Sequence, residues 1–236
     1  ASVDYVFLTH IHLDHAGGAG RLMQICPEAR LVAHPRGTAH MADPTKLFAA
    51  VRAVYGAEEA DRLYGEPTPI PADRIIAAGE GFAFELAGRS LVCLDTPGHA
   101  RHHLCLWDAR SRSLFTGDIF GLSFRELDVA GRPSILPTTT PTQFDPAAMH
   151  DSVDRILGQQ PEAVYLTHFS RVSETPRLGG DLHRLIDAHV AVAERERAAG
   201  PDREARILAG LWALMDDEAE RQGWRLEREQ WREVLQ

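Results

Sequence analysis

Apolar and polar positions along this chain change period several times, and each change marks an element. Val3 to Thr9 (VDYVFLT) is a short run of apolar, β-branched and aromatic residues, the pattern of a buried strand. Arg21 to Glu28 reads as helical, and Leu31 to His34 as another short strand. Residues 36–66 are rich in alanine with apolar positions at helical spacing, interrupted by Pro44 and Gly56, so two or three short helices are expected. Strand-like segments recur at 74–77, 81–86, 90–95, 103–107 and 113–116, divided by turn residues such as Gly88-Arg89 and Ser111-Arg112. From Phe120 to Pro146 the pattern is irregular, with Pro133, Pro137, Pro141, Pro146 and a run of three threonines. A segment of that length inside a compact domain has the character of a lid or a binding loop. A helix from Pro146 to Leu157 and a strand from Ala163 to Thr167 follow. Beyond Gly180 the period stays helical, with one stripe at Leu182, Leu185, Ile186 and Val190 and another at Ile207, Leu208, Leu211, Leu214 and Met215. Strands with helices outside them, followed by a helical tail, predict an α/β or α+β domain.

Composition narrows the function classes. The chain has 236 residues, enough for one well-packed domain or one domain with an appendage, and 44% apolar with 25% charged residues is a globular profile. The formal net charge of −9 repels phosphate backbones, and no Lys/Arg run offsets it locally, so nucleic acid is not an expected partner. No apolar run approaches the roughly 18 residues of a membrane span, so no membrane partner is expected. The absence of a basic-then-apolar leader, together with the scattered Cys26, Cys93 and Cys105, predicts free thiols in a reducing cytoplasm. The chain begins at Ala1 and runs straight into a strand, which carries the expectation of sequence upstream, present in a longer product or removed.

The densest chemistry lies in His10-Ile11-His12-Leu13-Asp14-His15. Residues two apart on an extended segment point the same way, so His10 and His12 can converge on one ion. Asp14 and His15 sit where the strand breaks toward a helix and can face a second ion. Imidazole nitrogen with carboxylate oxygen suits zinc, with iron and manganese as alternatives. Gly17, Gly18 and Gly20 would let the backbone turn tightly beneath the site. Three further segments supply ligand-type residues, each closing an expected strand: Thr96-Pro97-Gly98-His99, Thr116-Gly117-Asp118 and Leu166-Thr167-His168. Strand ends hold side chains rigidly at a rim, so four such ends make a coherent pattern.

The set HxHxDH, PGH, GD and a final TH, running from about Phe7 to His168, resembles the metallo-β-lactamase-fold hydrolase superfamily. The resemblance implies an αβ/βα sandwich with two divalent metal ions at its edge, zinc being the expected metal. It implies a first metal on His10, His12 and His99, a second on Asp14, His15 and His168, and Asp118 bridging both. Catalytic roles fall on Asp14, which would orient a nucleophile, and on Asp118. Members usually have several strands before HxHxDH, whereas nine residues precede His10 here, so the N-terminal strands are expected to be absent from the chain as given. The expected organisation is a catalytic domain over 1–176, incomplete at its N-terminus, and a helical extension over 177–236.

The resemblance makes the chain a metallo-hydrolase acting on a small molecule through an ester, lactone, thioester or related bond. Rival readings are a mononuclear-iron sulfur dioxygenase of the same fold, using His10, His99 and Asp118, and a phosphodiesterase or nuclease, which the acidic charge disfavours. His103 and Arg125 are candidate substrate contacts, with His102 either beside His99 or on substrate. Phe124, with Phe120, Leu122 and Phe144, could line an apolar pocket. Trp212, Trp224 and Trp231 in the tail suit either packing on the domain or a homodimer face.

Overall fold

A computed structural model of the chain describes residues 2–140 and 142–235, so Ala1, Pro141 and Gln236 lie outside the description, as does the side chain of Ser170. In chain order the elements are β1 (Tyr5–Phe7), α1 (Leu13–Ala16), α2 (Ala19–Ile25), β2 (Arg30–Ala33), α3 (Pro35–Ala42), α4 (Thr45–Tyr55), α5 (Ala57–Tyr64) and β3 (Ile75–Ala77). Then come β4 (Ala83–Leu86), β5 (Arg89–Asp95), β6 (Leu104–Asp108), β7 (Ser113–Gly117), α6 (Pro146–Gly158), β8 (Ala163–Leu166) and β9 (Ser170–Val172). Helices α7 (Thr175–Arg195), α8 (Arg203–Gln222) and α9 (Arg228–Val234) complete the chain.

Local chemistry starts and stops these elements. The Asp145 carboxylate accepts the Ala148 N–H and Pro146 supplies a fixed first turn, so α6 begins there. Gly56, at φ 84°, separates α4 from α5. Glu227 and Gln230 form a reciprocal capping box that opens α9.

Two sheets form. β1, β2 and β3 are parallel; β4 to β9 lie in sequence order and are antiparallel except for the parallel β7–β8 pair. Strand alternation sorts their side chains into layers. In β2, Leu31 and Ala33 face the helices that carry Ala16, Ala19, Met23 and Met41, while Val32 points the other way. That opposite face meets Leu91 and Cys93 of β5 and Leu104 and Leu106 of β6. Leu94 and Cys105, out of phase with those, pack with Met149, Val153 and Ile156 of α6 and Leu178, Leu182 and Ile186 of α7. Helix, sheet, sheet and helix layers result: the αβ/βα sandwich.

The three-stranded sheet reaches only part of its partner. Phe115, level with Leu106 on the same face, and Tyr165, level with Phe115, stack at 5.0 Å and are 43% and 38% exposed.

Helix α7 crosses the expected boundary at 176/177. Helix α7 starts at Thr175, and its Leu178 and Leu182 are fully buried in the main core. Each such leucine contributes on the order of 1.5–3 kcal/mol, so α7 belongs to the sandwich and only α8 and α9 are added to it. The tail tryptophans pack inward, with Trp231 buried against Leu127, Leu136 and Leu185. Cys93 and Cys105 are buried free thiols, pushed up to about 12 by burial. Among the described residues no helix is long and apolar enough to cross a membrane.

Candidate metal centre

Strand ends carry the donors to one rim. His10 and His12 lie on the extended segment after β1, which is tied to the second sheet by the Leu104 N–H on the Thr9 carbonyl at 2.7 Å. Asp14 and His15 sit in the one-turn helix α1, which the sequence reading did not resolve as a helix. Gly98, at φ 133°, precedes His99; a Cβ there would lie 2.4 Å from the Met149 backbone, so only glycine lets this loop rest on α6. Gly117, at φ 50°, precedes Asp118, and a Cβ would come within 2.5 Å of His103 Nε2. The glycines expected to turn the chain under the site do something else. Gly17 and Gly18 have ordinary helical angles, and Gly20 lets α2 approach the Thr68 carbonyl.

Among the described residues, three groups of donors have atoms within 4.8 Å of one another: His10, His12 and His99; His10, His15 and Asp118; Asp14, His15 and His168. Asp118 Oδ2 is the centre of the array. It lies 3.4 Å from His15 Nε2, 3.5 Å from His99 Nε2, 3.5 Å from His168 Nε2 and 4.0 Å from His10 Nε2. His12 Nδ1 is 3.1 Å from His99 Nε2, and Asp14 Oδ2 is 3.1 Å from His15 Nε2.

Hydrogen accounting shows that these atoms fit a cation. Thr138 Oγ1 donates its proton to the Asp118 carbonyl at 2.8 Å, so at 2.9 Å it accepts from His99 Nδ1–H and leaves His99 Nε2 with a bare lone pair. Thr9 Oγ1 stands 3.1 Å from His10 Nδ1. His10 Nε2 and Asp118 Oδ1 are buried without hydrogen-bond partners, an arrangement that is costly unless a cation satisfies it.

Electrostatics agree. Burial pushes His99 down to about 4, leaving it neutral and able to ligate. For His15 burial works in the opposite sense, but bonds to Asp118 and Asp14 outweigh it and raise the ring to about 9. Its bond to Asp118, then that to Asp14, raises His168 to about 10. Asp118 and Asp14 are held below the usual carboxylate range; burial opposes this, and the His15 and His168 bonds overcome it. Without metal, protons on His15 and His168 balance the carboxylates.

Two expected substrate contacts are placed elsewhere. His103 is fully buried behind the centre: its Nδ1 bonds Thr96 Oγ1 at 2.9 Å and its Nε2 accepts the Asp118 N–H at 3.2 Å, so it positions Asp118 and cannot reach substrate. Arg125 is engaged by the Ser123 carbonyl at 3.0 Å and by Asp128 at 3.2 Å, and does not line the cavity over the site. Phe120 is in the core and Phe144 packs against it. Phe124 and Leu122 do line the cavity, as does His102.

That cavity encloses about 710 Å³ above Asp14, His12 and Asp118. Its walls are largely apolar, from Val51 and Val54 of α4, Tyr64, Phe124, Phe169 and the C-terminal Val234 and Leu235, and no lysine or arginine among the described residues lines it. Phe169, at φ 71°, packs on Phe124 with ring centroids 4.6 Å apart. Thr138, Phe169 and the α4 and C-terminal walls escaped the sequence reading. The threonine run marked the loop but not which hydroxyl would lock a histidine, and the other walls carry no local motif.

A profile described as the Metallo-beta-lactamase superfamily matches residues 1–168. The chain belongs to that superfamily. It is 29% identical over 177 residues to the metallo-beta-lactamase fold-containing protein ST1585 of Sulfurisphaera tokodaii, covering 72% of this chain and 62% of that protein. The crystal structure of ST1585 superposes with a TM-score of 0.66 at 28% identity, over 79% of this chain and 68% of that one. An atrochrysone carboxyl ACP thioesterase of Aspergillus fumigatus is 29% identical over 49% of this chain and 27% of its own length. The acyl-coenzyme A thioesterase MBLAC2 of Gallus gallus is 30% identical over 47% of this chain and 39% of its own. The chain thus spans less than two thirds of the curated relatives it matches.

Proposed function

We propose that this protein is a metal-dependent hydrolase that cleaves an acyl thioester, with esters and lactones as neighbouring substrates. The observation that carries the reading is the convergence of four histidine nitrogens on Asp118 Oδ2 at the floor of an apolar cavity, with His10 Nε2 and Asp118 Oδ1 left unpartnered. His10, His12 and His99 would hold one ion, Asp14, His15 and His168 a second, with Asp118 between them. Divalent ions bound there, zinc foremost, supply a Lewis acid and a nucleophilic water at neutral pH.

The protein's own groups do the rest. Leu122, Phe124, Phe169 and Val54 hold an acyl chain and exclude water from it. Asp14, whose side chain is 45% exposed toward the cavity, can accept the proton of the attacking water and pass it to the leaving group. His103 and Thr138 keep Asp118 and His99 in place throughout. The curated thioesterase relatives support a thioester, and the lack of a lysine or arginine among the described residues of the cavity lining weighs against a phosphodiester. The full second group on Asp14, His15 and His168 supports two ions over the single iron of a sulfur dioxygenase.

The test is turnover of acyl-coenzyme A thioesters, aryl esters and lactones by metal-replete protein, with metal counted by elemental analysis. Thioester hydrolysis that disappears on chelation and returns with zinc is expected. One iron per chain, with oxygen consumed on a persulfide and no hydrolysis of any of the three classes, would sink the reading.

A further inference from the structure

Away from the metal centre, a second group of histidines and carboxylates lies where α6 packs against α7. Both helices carry the same spacing: His150 is followed four residues on by Asp154, and His183 four residues on by Asp187. Residues four apart share a helix face, and here the two faces meet. His150 Nε2 is 3.0 Å from Asp187 Oδ1, and His183 Nε2 is 3.0 Å from Asp154 Oδ1. The pairs cross between the helices in both directions, so the quartet is close to two-fold symmetric. At its middle, His150 Nδ1 and His183 Nδ1 are 2.6 Å apart.

Hydrogen accounting defines what that gap requires. A carboxylate only accepts, so Nε2 is the protonated nitrogen in each ring, and a neutral ring then presents a bare lone pair at Nδ1. The ring planes differ by 8° and the centroids are 4.9 Å apart, a distance greater than the nitrogen gap only by the two ring radii. The lone pairs therefore point straight at one another. Two lone pairs at that separation repel unless a positive charge lies between them. Both rings are about a quarter exposed and both carboxylates largely so, which leaves the gap open to ions from solution.

We propose that this quartet is a second metal site, taking a divalent cation of the zinc, copper or nickel class between His150 Nδ1 and His183 Nδ1. Imidazole suits these ions, and Asp154 and Asp187 hold the far nitrogen of each ring as carboxylates behind metal-bound histidines do. The charges of two carboxylates and one divalent cation cancel. Zn–N bonds of about 2.0–2.1 Å require the two nitrogens to part, which partly exposed rings can do by rotation, with water completing the coordination. Neither histidine lines the catalytic cavity, so the ion acts as a clasp between α6 and α7 and stabilises the folded chain.

The test uses holoprotein with its metal centre filled, equilibrated with zinc chloride, passed through gel filtration and analysed for zinc, beside H150Q and H183Q. The wild type is expected to keep one more zinc per chain than either variant, and only the wild type is expected to melt higher as zinc is added. D187N is expected to weaken this extra binding roughly 10–100-fold. Should the variants fail to fold, zinc titration of the wild-type holoprotein decides alone. No zinc taken up beyond the metal centre's complement would overturn the site and leave one shared proton between the rings.

Discussion

The two histidine–aspartate clusters of this molecule use the same side chains on opposite kinds of support. At the metal centre the donors stand at four strand ends, Asp14 and His15 on the one-turn helix α1, and His10, His99 and Asp118 are buried. The unused nitrogen of His99 is locked by a neutral group, Thr138, and Thr9 lies beside that of His10. Between α6 and α7 the donors stand on regular helix faces, the far nitrogens are held by carboxylates, and the rings remain partly exposed. The difference teaches what burial does to an unfilled donor. An orphaned atom such as His10 Nε2 has no water to turn to, so the centre favours a cation. The helix pair can fall back on a proton and solvent, so losing it is mild.

The sharpest way to break this contrast is to remove the shared carboxylate. Asp118→Ala deletes the atom that faces four histidines, and thioester hydrolysis is expected to fall by roughly 10³-fold or more, with metal content falling alongside. Unchanged metal and rate would show that Asp118 is not the bridge. Gly117→Ala should come next. It forces a left-handed residue against His103 and Thr9, so a loss of about 1–3 kcal/mol in thermal unfolding is expected, with metal binding weakened through Asp118. His103→Ala removes the acceptor of the Asp118 N–H and is expected to weaken metal affinity about 10–100-fold, read by competition with a chelator.

A pH series separates protons from metal. In metal-free protein His15 and His168 titrate near 9 and 10, above the ordinary 6.5, so the folded state holds more protons than the unfolded one in that window. Their stabilisation is complete below about pH 6.5 and is lost as pH rises through 9 to 10. The melting temperature of metal-free protein should therefore fall between pH 7 and 10. Metal displaces those protons, so loaded protein should lack this decline and bind metal more tightly as pH rises. The smallest effect belongs to the other cluster: without added zinc, His183→Gln should cost no more than about 1 kcal/mol of stability and leave hydrolysis unchanged.

Much of the centre was legible because its donors are clustered in sequence and each closes a strand. His10, His12, Asp14 and His15 are local neighbours, and the PGH, GD and TH segments each follow a β-run, so each donor is set at a strand end, and strand pairing and sheet packing bring those ends to one rim. His103 and Arg125 were legible as polar residues near the motif but not as to direction. Period-two alternation from Leu104 turns His103 into the interior, and the turn at Arg125–Leu127 folds Arg125 back onto its own loop. Strand β9 was too short to register, and α7 began earlier than its stripe suggested because Pro176 opens a helix as readily as it ends one.

The chain by itself determined the clustering of histidine and carboxylate donors, the strand ends that carry them and the mixed α/β class, since these rest on short-range spacing and on alternation, while the sandwich followed from the resemblance of the motifs. Only the tertiary structure decided which side of the centre each second-rank residue takes, which walls close the cavity and that His150 meets His183. Those contacts join Phe124 to Phe169, Tyr64 to Val234 around one space, and α6 to α7. Their physical reason is packing between elements far apart in the chain, where complementary surfaces rather than local period set the neighbours.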